Sequence, residues 1–289
     1  MNAIAGKMDA GATFRTRRSW RQRSVLPGFR LSFGFTLFYL SAVVLIPLTA
    51  LIVRPWSLGW NGFVAAVTEP RVLHALQLSF SAAAIAAVLN CIFGFIVSWV
   101  LVRYRFPGKR LIDGLVDLPF ALPTSVAGIA LCTIYAQNGI MGGPLSFLGF
   151  KVAYTPVGII VALVFIGLPF MVRTLQPVLA EIGADAEEAS ATLGATRMQT
   201  IRKVVVPALM PTILTGTAMA FARAIGEYGT VIFIAGNLPM VSEIAPLLIV
   251  IKLEQFDYAG AAAIGAVMLG VSFLLLLALN LIQAWTARR

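Results

Sequence analysis

"EEASATLGATRMQTIRKVVVPALMP", residues 187–211, sets two acidic residues, a glycine and three basic residues between two strongly apolar stretches. Its local chemistry reads as two short helices. Asp185, just before it, is placed to cap the first helix with Glu188 at the third position, and Gly194 is placed to end it in a left-handed turn. Thr196 then caps the second helix, with Gln199 three residues on. That helix runs into the next apolar stretch, where Pro207 and Pro211 break or bend it. Two readings stand side by side: a solvated connection, or an exposed hairpin of fixed shape that docks to something. Two consecutive capping signatures favour the second.

The surroundings of the hairpin set the class. The chain is 59% hydrophobic and only 12% charged over 289 residues, with mean hydropathy +0.90. That composition cannot be hidden in a water-soluble core, so the solvent it fits is a bilayer. Cys91 and Cys132 both fall within apolar runs, where they act as small hydrophobes rather than a disulfide framework. A net charge of +10 suits nucleic acid or anionic lipid. The arginines Arg15, Arg17, Arg18, Arg21, Arg23 and Arg30 directly precede the first apolar run, which favours lipid headgroups and topology; no nucleic acid partner is expected.

A spanning helix needs about 20 apolar residues. Six stretches qualify: near Leu31–Val53, Leu78–Val102, Leu111–Tyr135, Val157–Val172 with a short extension, Pro211–Ala235 and Ala261–Ala284. The piece Ala245–Phe256 is too short to span and carries Lys252 and Glu254, so it reads as an interfacial or re-entrant helix. Basic residues concentrate in the N-terminal tail, in the connection Arg103 to Arg110, in the connection Arg173 to Lys203 and at Arg288 and Arg289. By the positive-inside rule these segments face the cytoplasm, with both termini inside. About 30 residues precede a first run long enough to span, so a cleavable signal peptide is not expected. The expectation is an all-α polytopic membrane protein with six transmembrane helices. A basic tail covers residues 1–30, and a membrane domain covers 31–289 with the cytoplasmic loop 181–207.

Within that loop, Glu188, Ala189, Ser190, three residues, Gly194, nine residues, Val204, one residue, Val206 and Pro207 resemble the EAA loop of binding-protein-dependent ABC importer permeases. The spacing matches throughout; the departures are Ser190 for alanine and two valines for isoleucine and leucine. The resemblance implies a type I importer permease fold. It also implies that Glu187, Glu188, Ala189, Ser190, Gly194, Val204, Val206 and Pro207 couple the chain to a cytoplasmic ATPase. The residues agree with such a role: acidic groups in the first turn suit the helix dipole, and a hairpin turned at a glycine projects as a knob. No G-x-x-x-x-G-K-S/T occurs, and Gly108-Lys109 lacks both the earlier glycine and the following hydroxyl. No cofactor is therefore expected on this chain, with ATP and magnesium on the ATPase partner.

The stretches "DLPFALPTSVAGIAL", "FARAIGEYGTVIFIAGNLP" and "EIAPLLIVIKLEQFDYAGAAAIGAVML" are most similar to the first of the two permeases in sulfate and thiosulfate importers. That resemblance implies a second, homologous permease, two ATPase subunits and a periplasmic sulfate- or thiosulfate-binding protein in a bacterial inner membrane. Molybdate permeases share the coupling motif and similar passages, so another oxyanion remains an alternative. A secondary anion transporter is the other class, and it would leave the capped hairpin unexplained. A membrane enzyme is more distant, since neither clustered metal ligands nor a G-x-S-x-G motif is present.

Five residues stand out as candidates for the translocation pathway or its gate. Pro123, with Thr124 and Ser125, bends the third span and frees backbone groups that lipid would penalise. Arg223 and Glu227 lie four apart in the fifth, where an isolated charge costs roughly 3 kcal/mol or more at the bilayer centre. They read either as a gated oxyanion contact or as a static interhelical salt bridge. Ala218, Ala222 and Gly226 form a small-residue track beside them, suited to tight packing. Asp113 and Asp117, one turn apart, are expected to pair with the adjacent basic connection. His74 is expected in a solvated outward loop, Asn90 in helix packing, and Trp56, Trp60, Trp99 and Trp285 at span ends as interfacial anchors.

Overall fold

The computed structural model describes residues 29–286, which are helical and connecting segments with no strand among them. The basic tail before Phe29 and the final Arg288 and Arg289 lie outside the described residues. The chain divides into two compact units, Met1–Leu48 and Thr49–Arg289.

The first helical run opens with α1 (Phe29–Leu40), passes a π-turn at Ser41–Leu45 and continues as α2 (Ile46–Val53). From Leu31 to Ile46 most side chains are apolar and exposed. Such a surface is stable against lipid and not against water. A 3₁₀ turn at Arg54–Leu58 leads into α3 (Gly59–Thr68). The Trp56 and Trp60 rings stack there at 6.1 Å, as amphipathic rings do at a membrane–water boundary.

The long helix α4 (Pro70–Arg103) starts eight residues before the expected Leu78. Pro70 sits in its first turn, where a missing N–H costs nothing. His74 therefore belongs to a helix and not to an outward loop, and Arg71 lies in the same helix. The buried face of α4 is built from small residues, among them Ala83, Ala86, Ala87, Gly94 and Ser98. Small side chains let helix backbones approach closely where apolar burial gives little drive in lipid.

The third expected span is not one helix. It appears as α5 (Lys109–Val116), α6 (Leu118–Ala121) and α7 (Thr124–Tyr135), separated at Asp117 and at Leu122–Pro123. Pro119 and Pro123 each lack an N–H to donate, and each disfavours helical geometry in the residue before it. Among the described residues, five helices are long and apolar enough to cross a membrane, and α7 is a shorter apolar piece.

After α8 (Gly142–Phe147), α9 (Pro156–Glu181) runs nine residues past the expected Val172 and so takes Arg173 into a helix. The polar segment then forms α10 (Asp185–Thr192) and α11 (Arg197–Thr200), followed by a π-turn at Ile201–Val205. Next comes α12 (Val206–Ile225). The fifth expected span also breaks: α12 ends at Ile225, and the short α13 (Val231–Ile234) follows after an irregular connection. A separate short helix, α14 (Ala245–Glu254), and the last span, α15 (Tyr258–Thr286), complete the chain. The main core joins α4, α9, α12, α13, α14 and α15 through residues such as Leu76, Ile159, Phe221, Ile234, Leu248 and Ile264. Asn90 is 1% exposed within it, with its amide against the backbone of Gly167, a packing role as expected.

Candidate functional site

The hairpin is built by local chemistry. At its start the chain turns through Gly183, whose φ is +67°, and the Ala184 carbonyl accepts from Glu187 and Glu188 at 3.0 and 2.9 Å. Ala184 is thus the N-cap, with no side-chain bond, and Asp185 is the first helical residue rather than the cap. The tight turn places Asp185 one position too far along to reach an orphan N–H. It still joins Glu187 and Glu188 in an acidic first turn, which the helix dipole favours.

At the far end of α10, Gly194 adopts φ +81°. Its N–H donates to Ala191 at 3.0 Å and that of Ala195 to Ser190 at 3.1 Å, the paired bonds of a Schellman cap. Thr196 and Gln199 then form a complete capping box at the start of α11. The hydroxyls of Ser190 and Thr200 meet at 2.7 Å in a buried contact between the two helices. The hairpin is therefore one stiff body. Its tip is apolar and open to solvent, with Leu193 89% and Met198 64% exposed. Its base is seated by Val205 and Leu209 against Leu179, all buried, while the flanking Val204 and Val206 are half-buried and Pro207 is exposed.

A second constellation lies where two helix breaks meet. The Thr230 hydroxyl donates to the Thr124 carbonyl at 3.0 Å, and the Thr230 N–H donates to Glu227 Oε1 at 3.0 Å. Glu227 Oε2 accepts from Arg223 Nη1 at 2.5 Å. The Glu227 side chain is 3% exposed and that of Arg223 34%. Three of the five pathway candidates, Thr124, Arg223 and Glu227, are so joined in one chain of bonds. Ser125 and Pro123 are exposed beside it and take no part. Close approach is possible because residue 128 is glycine: a Cβ there would stand 2.4 Å from the Thr230 carbonyl oxygen. The Arg223–Glu227 pair is neither interhelical nor on one helical face. Gly226 ends α12, and the pair bridges from the last helical turn to the break beyond it.

Residues 90–289 match the family described as "Binding-protein-dependent transport system inner membrane component". The chain belongs to that family. The permease is 47% identical over 267 residues, 92% of its length and 96% of the relative's, to the "Sulfate transport system permease protein CysT" of Salmonella typhimurium. It is 46% identical over the same coverage to the protein of that name in Escherichia coli. It is 49% identical over 253 residues, 88% of each chain, to the one in Synechocystis sp.. Among solved structures, its fold is similar to a bacterial ABC transporter involved in the import of the acidic polysaccharide alginate. That match has TM-score 0.72 and 16% identity, and covers 89% of this chain and 96% of the other. It is also similar to the MetNI methionine ABC transporter in an inward facing conformation, with TM-score 0.55, 18% identity and coverage of 74% and 95%.

The permease is a multi-pass membrane protein and a transport component rather than an enzyme. Several polar residues stand elsewhere than expected. Asp113 and Asp117 pair with Arg173 on α9, at 2.7 and 2.6 Å, rather than with the basic connection beside them. The guanidinium spends its N–H groups on both carboxylates, the Asp113 carbonyl and Gln176. Once α9 reaches Glu181, Arg173 faces the broken third span, and that pairing follows. The small-residue track facing the core of the permease is Gly216, Ala220 and Ala224, while Ala222 and Gly226 are exposed. His74 is half-buried on α4, and its Nδ1 lacks a hydrogen-bond partner.

Two contacts went unread in the sequence. Glu243, 1% exposed, accepts two bonds from Arg71 at 2.7 and 2.6 Å, and Ser79 accepts from the Ala245 N–H at 2.8 Å. These tie the start of α14 to α4. The available signal was a lone carboxylate next to an apolar helix, which must find a cation. The other contact is Arg103, the last residue of α4, which lies 2.7 Å from Glu187 on the hairpin.

Proposed function

We propose that the permease carries sulfate and thiosulfate across a bacterial inner membrane as one subunit of an ATP-driven importer. The observation that carries this reading is the identity of 47% over 92% of the chain to a sulfate transport permease. In the proposed assembly it pairs with a second homologous permease and two cytoplasmic ATPases, which hold ATP and magnesium. A periplasmic binding protein delivers the anion. Both termini and the hairpin face the cytoplasm, as the distribution of basic residues favours.

In this reading the hairpin residues Glu187, Glu188, Ala189, Ser190 and Gly194 enter a socket on the ATPase, with Val204, Val206 and Pro207 at the join between the hairpin and α12. The stiffness of the knob and its apolar tip support that role. ATP closes the ATPase pair, the two hairpins approach, and the spans rotate from inward-open to outward-open. Delivery by the binding protein imposes selectivity before the anion reaches the membrane.

The junction of helix breaks supports a pathway role for its residues. The N–H groups of Thr124, Ser125 and Val126 precede the first intrahelical bond of α7, which Ala127 donates to Pro123. They carry the positive end of that helix dipole. Arg223, partly exposed beside them, adds a full positive charge, and Glu227 neutralises it while no anion is present. A passing dianion competes with Glu227 for the guanidinium and meets no fixed carboxylate in the open.

The test is co-purification of an ATPase with the wild-type chain and with Gly194→Pro plus Glu188→Arg at matched insertion, followed by radiolabelled sulfate uptake. ATPase bound to the wild type and lost from the variant supports the reading. A wild type that binds no ATPase in any mild detergent removes it. Competition by unlabelled molybdate, if stronger than by sulfate, would move the substrate and leave the assembly standing.

A further inference from the structure

The hairpin is joined covalently to the bundle at two places. One is the turn at Gly183, which leads from α9. The other is the π-turn Ile201–Val205, which leads into α12.

A third connection is not covalent and comes from α4, far away in sequence. Arg103 donates from Nη2 to the Gly183 carbonyl at 2.6 Å, and the same nitrogen lies 2.7 Å from Glu187 Oε1. Its guanidinium stands over the Trp99 ring at 5.7 Å. The side chain is 15% exposed, so the ion pair is screened less than one at the surface. One arginine thereby grips both the turn about which the hairpin pivots and the first turn of the pivoting helix.

The grip is not fully made. Arg103 Nε and Glu187 Oε1 are both buried and have no hydrogen-bond partner. The charges are close, but donor and acceptor are not aligned. Behind Arg103, α4 packs on α9 and α12 along its small-residue face, and a push on its end reaches the centre of the bundle.

We propose that Arg103 is a positioning residue that ties the hairpin to α4, so that displacement of the hairpin by its partner moves α4 with it. The proposal rests on the function given above and adds to it the residue that passes the motion on.

The experiment uses the whole importer in proteoliposomes, with ATP inside and binding protein outside, and reads radiolabelled sulfate imported per ATP hydrolysed. R103Q, which keeps a donor for Gly183 and loses the charge, is expected to retain its ATPase. Its ratio should fall about tenfold, equal to about 1.4 kcal/mol. R103K is expected to restore most of the ratio. A residue serving stability alone would lower the amount inserted and leave the ratio per complex unchanged, and that result overturns the proposal. Loss of the ATPase from R103Q also overturns it, since the residue would then build the docking surface.

Amide exchange in Asp185–Thr192 gives a reading independent of transport. Exchange about tenfold faster in R103Q, with α9 unchanged, is expected, and equal protection counts against the idea. Where R103Q inserts poorly, Trp99→Ala removes the ring under the guanidinium and leaves both partners in place. A smaller fall in the ratio is then expected, and no fall overturns the proposal. A wild-type complex without ATP-driven uptake defeats the underlying function instead, and no Arg103 variant can mimic that result.

Discussion

The hairpin and the junction of helix breaks are both polar sites in an apolar chain, but they are specified in opposite ways. The bonds made within the hairpin link residues no more than ten apart: the Gly194 cap, the Thr196–Gln199 box and the Ser190–Thr200 hydroxyl contact. The junction depends on Thr230 reaching Thr124, 106 residues away. A site written in local bonds keeps its shape while the rest of the protein moves. One assembled across two broken helices must change whenever those helices do. The first suits a part that is pushed, and the second suits a part that opens.

The largest effect that tests this contrast is expected from Gly194→Pro. Proline holds φ near −65° and lacks the N–H that Gly194 gives to Ala191, so the cap cannot form. Sulfate uptake should fall below detection while the spans remain inserted, as judged by protease accessibility; normal uptake would break the claim that this turn shapes the knob.

Next is Glu227→Gln, which leaves Arg223 without its counter-charge beside a buried amide. A loss of about 2–3 kcal/mol is expected, read as a lowered melting temperature in detergent. Arg223→Ala and Arg223→Lys complete the set. Unchanged uptake in both would remove Arg223 from the pathway and leave the pair a structural strut.

Thr230→Val deletes a single long-range bond and should cost about 1–2 kcal/mol. The loss should appear in global melting, with hairpin amide exchange unmoved. Ser190→Ala deletes two local bonds, to the Glu187 carbonyl and to the Thr200 hydroxyl, and should cost about 1 kcal/mol, because the Thr200 hydroxyl keeps the Thr196 carbonyl at 3.3 Å. Here exchange should quicken in α10 and α11 alone, with the ATPase still bound. Equal spread of the two effects would erase the local and non-local distinction.

The smallest effect concerns another locally written element, the cap of α15. Asp257 accepts from the Gly260 N–H at 2.9 Å and lies 3.3 Å from Lys252. The backbone bond first, and Lys252 after it, hold its pKa below the ordinary carboxylate range. The folded value is depressed, so its contribution is present above the unfolded pKa of about 3.9 and is lost as pH falls through the lower folded value. Asp257→Asn should therefore melt slightly below wild type at pH 6. The gap should narrow as pH falls below the unfolded pKa of about 3.9, and a constant gap would assign the effect to packing.

The same division explains what was legible beforehand. Caps, glycine turns and apolar runs act over a few residues, so α10, α11, α15 and the separate α14 could be placed from sequence. The motif spacing identified the hairpin for the same reason. The third and fifth spans were read as continuous because hydropathy cannot register a break inside an apolar run. Pro123 bends a helix or ends one according to what satisfies the freed groups, and Thr230 lies outside any local window. Arg103 and Arg173 were assigned to connections because charge is expected to leave the membrane, and Arg71 lay ahead of the expected second span. Each instead sits in a helix and finds its carboxylate on another segment, at Glu243, Glu187, and Asp113 with Asp117. Ser190 looked like a mild departure from a pattern, yet it supplies the bond between the two hairpin helices.

The π-turn at Ile201–Val205 holds one residue more than an α-helical turn needs, directly between the knob and α12. Each residue of an α-helix advances the chain by about 100° around the axis, so this surplus sets the compass bearing at which the knob leaves the membrane. Deleting one residue there would leave every span in register with its neighbours and turn the knob by about a quarter of a circle. The protein would be whole, and it would be addressing the wrong side.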